Sequence, residues 1–220
     1  MKNKKIFDKR LFLLLTRVTQ KYLAMLKLYE EVRASTQFVK ERANGKPLVV
    51  VEIGTQRGSN ARSICNNLNV KEIYCIDPYA NYSEIRQGKE YTFNFLPHLK
   101  IAMHRLKKYP VKFILKESFV AIKDIPNNVD FIYIDGNHDY AYCLSDIEQY
   151  YNKLKPGGVI AGHDFCGNFV EVIHAVFNFI SRNSNLVLHT KEADWWFIKA
   201  GKMELTKKCK CKDRDFNAIR

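Results

Sequence analysis

The sequence predicts an α/β domain: a doubly wound, mainly parallel sheet of seven strands with helices on both faces, preceded by an N-terminal helical extension. Three observations carry this. Short apolar, β-branched runs alternate along the chain with stretches whose apolar residues recur at helical spacing. Gly and Pro are few, and some of them stand between these segments as punctuation. Polar and charged residues cluster just after the apolar runs, where a parallel sheet presents its ligand-binding edge. Strands that alternate with helices pair in parallel, because each crossover helix returns the chain to the same end of the sheet.

Taken in order, residues 5–43 read as helix, with Leu11, Leu14, Leu15, Val18, Tyr22, Met25 and Leu26 at helical spacing. Asn44-Gly45-Lys46-Pro47 stops it. Leu48 to Ile53 (LVVVEI) suits a strand buried on both faces. A helix over 59–67, a strand over Glu72 to Ile76, and a polar, Tyr-rich loop from Pro78 to Thr92 follow. A basic helix is expected over about 93–108, then strands at Val111 to Leu115 and Val129 to Ile134. Residues 141–154 are helical, Pro156-Gly157-Gly158 is a turn, and Val159 to Gly162 is a fifth strand. A helix over about 168–181 leads to two closing strands, Leu186 to His189 and Trp195 to Ile198. The domains expected are a helical extension (1–45), one ligand-binding domain (46–200) and a basic, disordered tail (201–220).

A chain of 220 residues with 46% hydrophobic content can bury one sizeable core. The net charge of +13 is unevenly placed. Residues 1–30, 86–116 and 199–220 each hold eight Lys or Arg, so the remainder is acidic. Such segments either attract anionic partners or form a solvated, Lys-rich surface. The six Cys fall partly in apolar patterns, as free thiols do. Cys209-Lys210-Cys211 is spaced too tightly for a zinc pair and has no second pair nearby. No signal-peptide pattern and no apolar stretch of about 20 residues is present. A reducing, cytoplasmic setting is expected. The N-terminal helix reads as a cover on the sheet, a homodimer interface, or a basic amphipathic helix on a membrane surface; a dimer is favoured.

Three constellations carry chemistry. The first is Glu52-Ile53-Gly54-Thr55-Gln56-Arg57-Gly58-Ser59, between a buried strand and a helix. Glycines there let backbone approach a ligand, and the helix N-terminus offers free N–H groups. Asp77, at the end of the second strand, can accept hydrogen bonds from both hydroxyls of a ribose. Together these point to a nucleoside cofactor. The GxxxG spacing disfavours NAD. The second constellation is Asp135-Gly136-Asn137-His138-Asp139-Tyr140, and the third is Gly162-His163-Asp164-Phe165. Neighbouring parallel strands lie about 4.8 Å apart, so Asp135 and Asp164 can face each other across one cleft. Two close carboxylates either share a proton or hold a cation.

Glu52, Gly54, Gly58, Ser59, Asp77 and the run from Ile134-Asp135-Gly136 through Leu154-Lys155-Pro156-Gly157-Gly158 to His163-Asp164 carry a resemblance. Over about residues 46–200 the chain resembles class I S-adenosylmethionine-dependent methyltransferases, with their Rossmann-like fold. Within them it is similar to the small-molecule O-methyltransferase branch of macrocin- and catechol-type enzymes and the cephalosporin-hydroxylase-like group. The resemblance implies that Glu52, Gly54, Thr55, Gly58 and Ser59 line the methionine end of S-adenosylmethionine. It implies that Asp77 binds the ribose, that Glu117 and Ser118 border the adenine, and that Asp135 sits near the transferred methyl. It also implies a divalent cation, Mg²⁺ or a transition metal, on Asp135 and Asp164. In catechol-type enzymes the next residue is Asn or Asp and completes that site; here it is Phe165, which cannot ligate. His163 or His138 can substitute, and imidazole suits a transition metal better than magnesium.

The expected reaction is in-line transfer of a methyl group to a hydroxyl of a small-molecule or sugar-like acceptor. An activated donor leaves the protein mainly to align the partners and remove the acceptor's proton. Asp135, His138 and His163 are the catalytic candidates, the two histidines as bases. The loop carrying Tyr79, Tyr82, Arg86, Lys89 and Tyr91 is a candidate lid over the acceptor. Two other readings stand beside this one. The basic charge suits a nucleic-acid methyltransferase, although no recognition module is visible. Phe165 suits a binding protein that keeps the fold without turnover.

Overall fold

The computed structural model describes residues 32–86 and 89–200. Seven strands form one sheet in the order β5-β2-β1-β6-β7-β9-β8. They are β1 (Leu48–Ile53), β2 (Val70–Ile76), β5 (Val111–Ile114), β6 (Val129–Ile134), β7 (Leu154–Gly162), β8 (His189–Lys191) and β9 (Asp194–Ile198). β9 runs antiparallel to β7 and to β8, and the other pairings are parallel. The helices are α1 (Ala34–Ala43), α2 (Ser59–Asn67), α3 (Leu96–Leu106), the short α4 (Ser118–Ala121), α5 (Tyr140–Lys153) and α6 (Val170–Ser181).

The fold follows from alternation. Along β1, β6 and β7, one set of side chains (Val50, Phe131, Val159) packs with Ile64 of α2 and Leu106 of α3. The residues between them (Val51, Ile132, Ile160) pack with Ile147 of α5 and Val176 of α6. Both faces of the central strands are therefore covered, as their unbroken apolar composition requires.

Several expectations are corrected. The helix expected over 5–43 does not run through Arg33, whose extended backbone (ψ 142°) makes it the residue before α1. Residues 1–31 and 201–220, with the expected dimer helix and the basic tail, lie outside the described residues. The loop expected from Pro78 to Thr92 contains a two-stranded antiparallel hairpin, β3 (Asn81–Arg86) and β4 (Lys89–Asn94). Its Tyr, Thr and Ile content suits strands, and the polar residues between them masked it. Pro156-Gly157-Gly158 is part of β7, at an irregularity in its register with β6. β8 begins at His189, where the first closing strand was expected to end. None of the described helices is long and apolar enough to cross a membrane.

The strand order reverses between β1 and β6, so their carboxyl ends open a crevice. Gly54 makes this possible. It stands at φ 84°, and a Cβ there would fall 1.8 Å from the carbonyl oxygen of Asp135. Only a residue without a side chain lets the β1 and β6 ends approach this closely.

Candidate active site

A cavity of about 670 Å³ occupies that crevice. Such a volume suits a nucleoside-sized ligand. Gly54, Gln56, Asp77, Glu117 and Ser118 line one part of it, and Asp135, His138, His163 and Asp164 another.

Asp77 is fixed by its own turn. The backbone N–H of Gln56 donates to its Oδ2 and that of Tyr79 to its Oδ1, both at 2.8 Å. Burial pushes its carboxyl up, against those two hydrogen bonds. Each oxygen keeps a further lone pair for a ligand hydroxyl. Tyr79, expected in the lid, is 2% exposed and lies behind this turn. Ser83 of the hairpin borders the cavity. Tyr91 is exposed, and the side chains of Tyr82 and Arg86 lie outside those described.

Four residues expected to touch the cofactor do not line the cavity. Glu52 is 1% exposed, and Asn60 Nδ2 donates to its Oε1 at 3.1 Å. Burial pushes its carboxyl up to about 8. Thr55 is buried as well. Gly58 packs against Leu106, and the Ser59 hydroxyl accepts from Arg105. These residues build the β1–α2 turn from behind, and Gln56 takes the place at the wall. Ile53 and Gly54, at the end of β1, reach the rim, while Glu52 points beneath α2, where Asn60 holds it.

At the other end, Asp164 gathers both histidines. His138 Nε2 lies 2.7 Å from its Oδ2, and His163 Nδ1 lies 3.0 Å from its Oδ1. Asp135 Oδ1 is 3.7 Å from His138 Nε2. Burial opposes ionisation of Asp164, yet hydrogen bonds from the two imidazoles hold its carboxyl well below the usual range. Asp164 has φ 59°, a conformation that costs energy for a residue with a side chain and concentrates at functional sites. Phe165 turns away. Its N–H donates to Ala193 O at 2.9 Å, and its ring packs 5.8 Å from Phe177.

Sequence reasoning missed Arg33 and Asp146, and it placed Gln56 within the first constellation without giving it a role. Arg33 Nη1 contacts His163 Nε2. The charge of Arg33 is disfavoured by burial and favoured by Tyr133, Asp135, Asp194 and Asp164. No local signal marks Arg33, because it precedes α1 and reaches the site only when α1 docks. Docking depends on buried Asp194, whose Oδ2 accepts from Ser35 N at 3.1 Å and Ser35 Oγ at 2.6 Å. Tyr133 donates to Asp194 Oδ1 at 2.9 Å. Asp146 lies within α5 and looked like an ordinary helix residue.

Ligand atoms of Asp135, His138 and Asp164 all lie within 4.8 Å of one another. The set therefore fits a divalent ion, and its mixed carboxylate–imidazole chemistry suits a transition metal.

A mainly parallel sheet in this order, with an acid after β2 and a polar cluster after β6 and β7, sets a cavity where folds of this kind bind their ligands. The chain belongs to the methyltransferase-domain family, whose model matches residues 51–165. It is 30% identical over 118 residues to the uncharacterized protein R132 of Acanthamoeba polyphaga mimivirus, a match covering 54% of this chain and 52% of that protein. The chain thus spans about half the length of the curated relative it matches. Among solved structures it is similar to a Streptococcus mutans protein described as a methyltransferase and solved with S-adenosylhomocysteine. That likeness has a TM-score of 0.56 and 15% identity, covering 75% of this chain and 95% of the other. An rRNA methylase of Streptococcus thermophilus matches with TM-score 0.56 and 14% identity over 76% and 95% of the two chains. A Klebsiella pneumoniae protein described as an O-methyltransferase matches with TM-score 0.52 and 14% identity over 78% and 82%. At these identities the likeness is one of fold.

Proposed function

We propose that this chain transfers a methyl group from S-adenosylmethionine to a hydroxyl oxygen of a small-molecule or sugar-like acceptor. One observation carries the reading: a single cavity joins the turn-fixed Asp77 carboxylate to the His138–Asp164 pair. The first suits a ribose and the second an acceptor that must lose a proton. S-adenosylmethionine supplies, when bound, a methyl already activated on a sulfonium.

The residues of the chain then do the rest. Asp77 would accept from the ribose hydroxyls, while Glu117 and Ser118, which line the same cavity, would border the base. Asp135 and Asp164 give the acceptor end its negative field. His138, held by Asp164, would take the proton from the acceptor hydroxyl, while the bound cofactor would supply the activated methyl group. Asp135, His138 and Asp164 would together hold a divalent ion, which lowers the pKa of a bound hydroxyl. With an ion bound, His138 would be its nitrogen ligand in place of acting as the base.

The test is calorimetric titration with S-adenosylhomocysteine, with and without Mn²⁺, on wild type and Asp77→Ala. Binding by wild type that the substitution weakens at least ~30-fold supports the reading, about the strength of one hydrogen bond to a charged group. No binding by wild type removes the cofactor and the reading with it.

A second reading has its own observation. α1, α2 and α3 cover one face of the sheet, and Lys40, Arg42, Arg57, Lys100, Lys107 and Lys108 are exposed on or beside them. Glu41 is the only acid in these three helices. Such a face favours a nucleic-acid acceptor. RNA binding that falls steeply with salt would raise this reading above the first.

A further inference from the structure

Asp146 projects from α5 to the wall of the cavity and is 3% exposed. The Ser118 hydroxyl donates to its Oδ1 at 2.5 Å. Its Oδ2 faces Gly136, where a Cβ would stand only 3.8 Å away. The charged neighbour that acts on it is another acid, Glu117, and burial pushes its carboxyl up to about 7. Nothing in the proposed transfer uses this group.

A buried carboxyl needs hydrogen-bond donors on both oxygens. Ser118 serves Oδ1, and no hydrogen bond from a described residue reaches Oδ2. The position excludes a purely structural ion pair, because its charged neighbour has the same sign. The missing donor fits a ligand that enters between Ser118 and Gly136, both of which border the cavity. An amine on a ligand held in this cavity meets that need.

We propose that Asp146 reads the exocyclic amine of the cofactor's adenine through Oδ2, with Ser118 fixing the rotation of the carboxyl. The inference rests on the S-adenosylmethionine reading above. A 6-amino purine donates to Asp146. A 6-oxo purine presents a lone pair to a carboxylate and is rejected, because a site built to accept from an N–H leaves its acceptor unpaired when the analogue lacks one.

The experiment titrates wild type, Asp146→Asn and Asp146→Ala with S-adenosylhomocysteine and S-inosylhomocysteine at pH 8. Wild type should bind the adenosyl ligand at least ~10-fold more tightly, the ratio one well-made hydrogen bond supplies. Asp146→Asn should bring the two ligands within ~3-fold of each other, because its amide can turn an N–H toward a 6-oxo group. Circular dichroism and thermal melting establish that Asp146→Asn is folded, since it keeps an acceptor for Ser118. Equal affinity of wild type for the two ligands overturns the proposal while leaving the cofactor reading intact. So does an Asp146→Asn protein that weakens both ligands by the same factor. A wild type that binds neither ligand overturns the cofactor reading itself, and the proposal with it.

Discussion

The guanidinium of Arg33 rests against Nε2 of His163, although 130 residues separate them in the chain. Arginine only donates, so Nε2 of His163 is the acceptor and its proton resides on Nδ1, facing Asp164. The lone pair that a general base needs is therefore occupied. In the proposed reaction the base is His138, the other imidazole on Asp164. His138→Ala should lower methyl transfer to a hydroxyl acceptor by ~10²–10⁴-fold, the usual worth of a positioned base. His163→Ala should cost much less, and both should bind S-adenosylhomocysteine within ~3-fold of wild type. Nitrogen NMR of wild type should show His163 with its proton on Nδ1. A proton on Nε2 would contradict this assignment.

Asp194 is the anchor that brings Arg33 to the site. It is 2% exposed and receives Ser35 N, Ser35 Oγ and the Tyr133 hydroxyl. Asp194→Ala leaves three donors unsatisfied in the interior and should cost ~3–5 kcal/mol. Denaturant unfolding measures it. A loss below ~1 kcal/mol would mean that the α1 segment docks without this contact.

Gly54→Ala should be among the most damaging single changes in the chain. The added Cβ would overlap the Asp135 carbonyl at 1.8 Å, and the residue would keep φ 84°. Backbone must move to relieve it, so the expected loss exceeds ~4 kcal/mol, or folding fails. Gly45→Ala is the control. It also stands at positive φ (74°), but nothing lies within 4 Å of its Cβ, so it should cost only ~1 kcal/mol. Equal melting temperatures for the two variants would remove the close-approach argument.

Glu52 and Asp146 make stability fall as pH rises. Burial raises Glu52 from 4.5 to about 8 and Asp146 from 3.8 to about 7. The native state therefore binds more protons than the unfolded state between these values. The stabilisation is complete below the unfolded values and is lost as pH climbs toward the folded ones, with a slope of at most about 1.4 kcal/mol per pH unit for each group. Melting curves from about pH 4 to pH 8 should show this decline, and Glu52→Gln or Asp146→Asn should each flatten it. Parallel profiles for wild type and variants would show that these carboxyls titrate normally.

Much of this was legible in the sequence, and the boundary has a physical cause. Strands β1 and β6 were read at their observed limits, because a strand buried on both faces must be an unbroken apolar run. Asp77, Asp135, His138, His163 and Asp164 were legible because polar residues directly after such runs have only the crevice to occupy. The β3–β4 hairpin was not, since two short polar strands look like a loop until they pair. The facing direction of Glu52 and Thr55 was equally hidden. Motif membership fixes a position on the turn, and backbone geometry decides whether the side chain points to the cavity or to the core. The partnerships belong to tertiary structure alone. Arg33 with His163, Ser35 with Asp194, and Ser118 with Asp146 each join segments with no local relation, separated by 130, 159 and 28 residues. Periodicity and punctuation act over a few residues, and they determined the sheet and the crevice. The protonation and orientation of the groups in that crevice depend on contacts that exist only once the whole chain has packed.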